Sequence, residues 1–108
     1  MTAPIPRRAL PSSCAVRVPA REGGGKFGEP VEIRHVRLEA ADAIRATGYQ
    51  LRDTATGLLF VDAVSSEGAF AIPAGSLVSV DGGPESCVAS CEERRDFGRV
   101  HHWEVELL

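Results

Sequence analysis

The feature that most limits the fold of this 108-residue chain is the alternation of residue types near its C-terminus. A period of two places alternate side chains on opposite faces of a β-strand. Positions 100–107 therefore predict an antiparallel strand with one buried face and one wet face. The inward set is His101, Trp103, Val105 and Leu107, and the outward set is Val100, His102, Glu104 and Glu106.

Five further strands are predicted from short apolar runs that end at turn signals. The run 57–64 is apolar at nearly every position, which is typical of a strand buried on both faces. Asp81-Gly82 is a strong hairpin signal, and 92–98 is predicted to be a charged turn. The remaining predicted strands are 14–18, 31–40, 77–80 and 85–91.

This pattern predicts an all-β fold, a small antiparallel β-barrel of about six strands, because closure removes exposed sheet edges. The barrel domain is expected at 13–108, after an extended N-terminal arm at 1–12. The expected core comprises Val31, Ile33, Val36, Leu38, Leu59, Val61, Leu77, Val78, Val80, Val88, Trp103, Val105 and Leu107.

A long loop is predicted at 41–56, between the second and third strands of the barrel. Within it, Asp42 could cap one or two turns of helix that end at Gly48. In the preceding strand the apolar phase shifts by one residue, which indicates a β-bulge near His35.

Two segments are too rich in Pro or Gly to belong to the core: the 1–12 arm and the 19–30 loop. Such segments often become ordered only on a partner, so we predict that both make assembly contacts. The residues expected to make them are Ile5, Arg7, Arg8, Lys26 and Phe27.

Composition is that of an ordinary globular domain, with 44% hydrophobic and 25% charged residues. The charge is uneven: residues 1–52 carry about +4 and residues 53–108 about −7, which could attract copies head to tail. No run is apolar for the roughly 20 residues that a bilayer span needs, and no secretory signal is recognised. We therefore expect folding in the cytoplasm and no membrane partner.

The residues that could carry chemistry do not form a convincing site, so we expect no enzyme activity, no cofactor and no metal. His101 and His102 are adjacent on a strand and should point to opposite faces. Three cysteines make no disulfide framework, and they are expected to be reduced. The match of 23–28 to G-x-G-x-x-G precedes a strand instead of a helix, which argues against a nucleotide site.

Short motifs occur in order along the chain, at 5–11, 28–31, 29–39, 75–78 and 101–108. Together they resemble those of phage minor capsid proteins, which are encoded among head and connector genes. That family is similar to the head-completion, or stopper, proteins of long-tailed phages. Where an aromatic residue would be usual, this chain has Cys87, and 41–56 matches nothing well.

The resemblance implies a small β-barrel that assembles as a homo-oligomeric ring in the virion neck. Such a ring lies below the portal and adaptor proteins, closes the DNA channel, and presents a surface to the tail terminator or tail tube proteins. Packaged DNA would be a transient partner. The loop between strands two and three would face the channel, and its residues here are Asp42, Ile44, Arg45, Tyr49, Gln50, Arg52 and Asp53.

Two other readings stay open: a small nucleic-acid-binding or adaptor barrel, and an accessory domain of an enzyme. Barrels that bind single strands use exposed aromatic residues in a basic groove. Here aromatic residues make up 6% and the isoelectric point is near 5.6, which favours the structural role.

Overall fold

In the computed structural model, which describes residues 3–108, six antiparallel strands form a closed barrel. The order around the barrel is β1-β2-β3-β6-β5-β4, and β4 pairs back with β1. The predicted all-β, six-stranded barrel is confirmed. The strands are β1 (Ser12–Arg17), β2 (Val31–Ala40), β3 (Gly57–Asp62), β4 (Leu77–Val80), β5 (Glu85–Asp96) and β6 (Arg99–Leu107).

The interior of the barrel is filled by alternate side chains of the strands. The run predicted to be buried on both faces is β3, where Leu58, Leu59 and Val61 are almost inaccessible. Trp103 is half-buried and packs against this interior. The buried interior residues are Cys14, Val16, Ile33, Val36, Leu59, Val61, Ile72, Val78, Val88, Val105 and Leu107.

Two residues of the predicted core are exposed instead: Val31 by 46% and Leu38 by 42%. Val31 is the first residue of β2, and Leu38 lies near its other end, where it lines an opening with Gly83 and Pro84. Solvent reaches both ends of a short barrel, so a correct inward phase does not guarantee burial there. Conversely, Ile72 is buried although it lies outside every strand.

The predicted bulge in β2 is confirmed at His35. Ser12 pairs with Val36 and Ser13 with Arg34, so His35 is the extra residue, and its φ is +62°. The segment around Glu67 lies beside this bulge, because Arg34 and Glu67 exchange two backbone hydrogen bonds.

The charged turn predicted at 92–98 is wrong. Strand β5 continues through Asp96, and only Phe97 and Gly98 connect it to β6. Charged residues occupy these positions because β5 pairs with β4 only over Glu85–Cys87, so its far end extends as a two-stranded ribbon.

Candidate assembly surfaces

The predicted loop 41–56 is the connection between β2 and β3, but it is a packed element and not a free loop. It begins with a short helix, α1 (Ala41–Arg45), which contacts β2 and β3. The ends of the connection are closed by hydrogen bonds from the Ala41 N–H to the Thr56 carbonyl and from the Thr56 N–H to the Leu107 carbonyl.

The predicted capping role of Asp42 is wrong. The helix begins one residue earlier, its N-cap position is Ala40, and no side chain caps it. The carboxylate of Asp42 instead lies 3.3 Å from the guanidinium of Arg45. Since the helix ends at Arg45, Gly48 closes the turn that follows, with a φ of +89°.

Arg45 holds the connection in its folded shape. Besides Asp42, its guanidinium donates to the backbone carbonyls of Arg52, Asp53 and Ala55. Its positive charge is therefore committed to the loop's own backbone.

Tyr49 ties the same connection to the outer face of β6. Its hydroxyl donates to the Glu104 carboxylate over 2.7 Å and lies 3.1 Å from the guanidinium of Arg94. His102 and Arg94 also contact Glu104, at 2.9 Å and 3.0 Å. Burial raises the pKa of Glu104, but the hydrogen bonds from Tyr49, His102 and Arg94 outweigh it and hold the pKa below its ordinary value.

Arg52 makes the second tie to β6. Its backbone N–H donates to Glu106 over 2.7 Å, and its guanidinium lies 3.3 Å from the same carboxylate. The Ser90 hydroxyl supplies a further hydrogen bond, and Glu106 is buried. The face of β6 predicted to be wet, with Glu104 and Glu106, is thus largely covered by the connection.

The other residues assigned to the channel loop lie in different surroundings. Ile44 is half-buried on α1, whereas Gln50 and Asp53 are exposed. The structure therefore brings Tyr49 and Arg52 onto β6 and leaves Asp42, Gln50 and Asp53 facing solvent.

The described part of the N-terminal arm, residues 3–11, lies against its own barrel. The Ile5 N–H donates to the buried Asp62 carboxylate over 3.0 Å, and Arg7 donates to the Ser65 carbonyl. Leu10 is 1% exposed, so the arm contributes a buried residue. Arg8 is exposed on a short 3₁₀ turn, Arg7–Ala9. The expectation of an arm without structure of its own is corrected for these residues.

Asp62 is a buried structural residue that the sequence patterns did not single out. Its carboxylate accepts backbone hydrogen bonds from Ile5, Val64 and Ser65. An acid after an apolar run suggests only a strand end. No local pattern indicates that the Asp62 carboxylate holds a segment 57 residues away.

Lys26 and Phe27 do not join the arm residues. Phe27 forms a β-bridge with Pro19, and the Arg17 guanidinium lies 5.4 Å from the centre of its ring. Lys26 is exposed, and its carbonyl accepts a hydrogen bond from Ala20. The predicted assembly contacts therefore form two separate groups.

An apolar groove of about 490 Å³ lies where the arm, α1 and the outer faces of β2 and β3 meet. Arg37 and Glu39 form an ion pair at its border. The groove unites Ile5 and Ile44, which were predicted to act in different surfaces. Its apolar lining is Ile5, Ala9, Leu10, Ala43, Ile44 and Phe60.

A family model described as minor capsid protein matches residues 16–107, which is most of the chain. The chain belongs to the minor capsid protein family. Neither the curated proteins nor the solved structures that were searched gave a match.

Membership of the minor capsid protein family makes this chain a structural protein of the phage virion. The match begins within β1, so the N-terminal arm and its wall of the groove lie outside the matched region. Among residues 3–108, no helix has the length and apolar character to cross a membrane.

In this minor capsid protein the two adjacent histidines do not point to opposite faces as predicted. Arg94 of β5 pairs with His102 of β6, and Arg95 pairs with Val100. His101 is therefore an extra, bulged residue of β6. The two rings therefore meet, with Nδ1 atoms 2.8 Å apart. His101 also bonds to the Ala3 carbonyl, which links the arm to the Glu104 network.

Proposed function

We propose that this minor capsid protein is a head-completion, or stopper, subunit. Copies form a ring at the head–tail junction that closes the DNA channel after packaging and presents a surface to the tail. The role requires no catalysis. The observation that carries the proposal is the 41–56 connection, which joins the second and third strands as the channel loop of such proteins does.

The way this connection is held supports a role in the channel. A channel closure must resist the pressure of packaged DNA, so a floppy loop would be a poor barrier. Here Tyr49 and Arg52 fasten the connection to Glu104 and Glu106 on β6. The remaining surface of the connection, which includes Asp42, Gln50 and Asp53, is exposed and available to face a lumen.

The charges of the connection also suit DNA that must pass without being held. Phosphate binding grows with each free Lys or Arg that releases counterions. Arg45 is occupied by Asp42 and backbone carbonyls, and Arg52 by Glu106. Copied around a ring, the connection would therefore offer mixed and largely compensated charge.

A stopper ring would have a different kind of neighbour on each side in the neck. Portal or adaptor proteins would lie above the ring, and tail terminator or tail tube proteins below it. The alternative, a nucleic-acid-binding or adaptor barrel, would need aromatic residues exposed in a basic groove. Among residues 3–108, Phe97 is the one strongly exposed aromatic side chain, and acidic residues surround it as often as basic ones.

The test replaces residues 44–52 with a Gly/Ser linker of equal length in the parent phage. We expect heads that fill with DNA and then lose it before tails join, measured by genome retention in isolated heads. As a matched control, residues 21–25 of the Gly-rich loop are replaced in the same way, and these heads should retain DNA. Stable filled heads with the 44–52 replacement would contradict the closing role. Electron microscopy of the neck tests separately whether the chain forms a ring.

A further inference from the structure

Three consecutive hydrogen bonds join the N-terminal arm to the outer face of β6 through two histidine rings. The His101 Nε2 atom lies 2.8 Å from the Ala3 carbonyl oxygen, and the two Nδ1 atoms lie 2.8 Å apart. The His102 Nε2 atom in turn lies 2.9 Å from the Glu104 carboxylate. Every ring nitrogen of the pair therefore takes part in one hydrogen bond, and each bond needs one proton.

The acceptors at the two ends of this chain of bonds decide where two of the protons lie. A carbonyl oxygen only accepts, so His101 Nε2 must carry a proton. Burial raises the pKa of Glu104, but hydrogen bonds that include those from Tyr49 and Arg94 hold it below its ordinary value. The carboxylate is therefore ionised near neutral pH and also accepts, so His102 Nε2 carries the second proton.

The central bond between the rings needs a third proton. Two Nδ1 atoms 2.8 Å apart would repel each other through their lone pairs if neither carried a proton. They would clash through their N–H groups if both did. Two neutral imidazoles hold two N–H protons, whereas two imidazolium rings hold four. Three protons on four nitrogens correspond to one positive charge that the two rings share.

The surroundings of the pair suit one shared charge. The cation lies directly against the Glu104 carboxylate. The nearby Arg94 contacts that same carboxylate, and the Asp62 carboxylate accepts from backbone N–H groups. The titratable and charged groups on the elements packed around the pair are Glu104 on β6, Asp62 on β3, Arg94 on β5, Tyr49 on the 41–56 connection and Arg7 on the arm.

Loss of the shared proton to solvent leaves two protons for three hydrogen bonds. The bond to Glu104 has an ionised acceptor, so it is the strongest of the three and is kept. His101 then has one proton for two partners, the neighbouring ring and the Ala3 carbonyl. Its contact with Ala3 is exposed, so water can replace it, whereas an unsatisfied Nδ1 between the rings is more costly.

We propose that the His101–His102 pair is a pH-sensitive clamp, which holds the Ala3 end of the arm on β6 while the rings share a proton and releases it when that proton is lost. Histidine ordinarily changes charge between about pH 5 and 8. The clamp therefore holds at the acid end of this range, where Glu104 is still ionised, and opens as the pH rises. Ile5 stays bound to Asp62, so the release is confined to the tip of the arm. The clamp does not depend on where in the virion the chain lies.

The proton count is tested by NMR on the full-length ¹⁵N-labelled chain, since long-range ¹H–¹⁵N spectra distinguish protonated from unprotonated ring nitrogens. At about pH 6 we expect three protonated nitrogens in the pair and a coupling through the hydrogen bond between the two Nδ1 atoms. At about pH 8.5 two should remain, and His101 Nε2 should be the atom that has lost its proton. Two neutral rings at about pH 6, or no coupling between them, would overturn the proposal.

Release of the arm is followed at the Ala3 methyl group, which does not exchange with water as a backbone amide does. We expect its order parameter to fall at least about twofold between about pH 6 and about pH 8.5. His101→Phe cannot donate to the Ala3 carbonyl, so this methyl group should be mobile at both pH values. The matched control is His35→Asn, which removes the third histidine and tolerates the positive φ of that position. It should respond to pH as the unchanged chain does.

An Ala3 methyl group that is equally ordered at both pH values would overturn the clamp. A pH response that persists in His101→Phe, or that disappears in His35→Asn, would place the sensor elsewhere and would also overturn it. The ring spectra of the unchanged chain need no substitution, so they decide the proposal even where His101→Phe does not fold.

Discussion

The Tyr49 hydroxyl donates a 2.7 Å hydrogen bond to the Glu104 carboxylate, 55 residues further along the chain. This bond joins the connection between β2 and β3 to the outer face of β6, where Glu104 also meets His102 and Arg94. The carboxylate is therefore the shared acceptor of a network that fixes the proposed channel element.

Glu104 should make stability depend on acid pH. Its pKa in the fold lies below its ordinary value near 4.5, so its stabilisation is complete above that value and is lost as the pH falls through the folded pKa. We expect Glu104→Gln to lower the free energy of unfolding by about 1–3 kcal/mol at pH 7 and by less near pH 3, where part of the charge-dependent stabilisation is already lost. Urea unfolding at both pH values measures this, with exposed Glu22→Gln as the control. An equal loss at both pH values would contradict the role of the charge.

Trp103→Ala should cost about 3 kcal/mol, at the lower end of the range for a large aromatic residue, because the ring is half-buried against the barrel interior. Its buried Nε1 has no hydrogen-bond partner among residues 3–108, so Trp103→Phe should cost much less. Thermal unfolding of the two variants gives the comparison. A loss below about 1 kcal/mol for Trp103→Ala would place the ring outside the packed interior.

Asp62→Ala should release the N-terminal arm. Three backbone N–H groups, those of Ile5, Val64 and Ser65, lose their acceptor, and we expect a loss of about 3 kcal/mol. Trypsin should then cleave sooner after the exposed Arg7 and Arg8. The control is Asp53→Ala, at an exposed site of the connection. Unchanged cleavage in Asp62→Ala would show that the arm is held by other contacts.

Gly68 and Gly82 both have positive φ, but only one is crowded. A Cβ at Gly68 would lie 2.8 Å from the Glu32 carbonyl oxygen, whereas a Cβ at Gly82 would meet no atom of residues 3–108 within 4 Å apart from its chain neighbours. Gly68→Ala should therefore be less stable than Gly82→Ala by about 2 kcal/mol, because the backbone of β2 must shift. Chemical denaturation of the pair isolates the steric effect from the shared cost of positive φ. Equal stabilities would mean that the 66–68 segment is not packed on β2.

Deletion of part of the arm tests its role in assembly. Removing residues 1–12 would also remove the buried Leu10 and the first residue of β1, so removal of 1–8 is the sharper variant. We expect the shortened chain to fold and to join neighbouring rings poorly, measured by particle assembly and electron microscopy. Normal assembly by a folded 9–108 chain would refute an assembly role for the arm.

The alternation of Val105 and Leu107, the hairpin at Asp81-Gly82 and the shift at His35 were sufficient to predict the closed barrel. These signals are local, because a strand that buries one face needs an apolar side chain at every second position. The covering of Glu104 and Glu106 was not predictable in that way, because outward carboxylates have the same pattern whether water or another segment lies over them. The length of β5 was missed for a related reason: a ribbon wet on both faces shows no apolar period.

The contacts of the 41–56 connection were also not predictable from the sequence. The boundaries 41–56 follow from the ends of two strands, whereas the partners of Tyr49 and Arg52 lie more than 50 residues away. Asp62 and the groove depend on the course of the arm, which carries no periodic signal. These features emerge only once the barrel has brought distant segments together.

Closure of the barrel has a consequence for how copies can meet. Around the barrel each strand is hydrogen-bonded on both sides, and the ribbon beyond it carries charged residues such as Glu93, Arg94 and Arg95. Continuation of the sheet from one molecule into another, which drives fibrous aggregation, is thereby discouraged. If copies assemble as proposed, their contacts would rely mainly on side chains, and such joints can come apart and form again. An incorrectly started ring of the proposed kind could thus be corrected before a particle is completed.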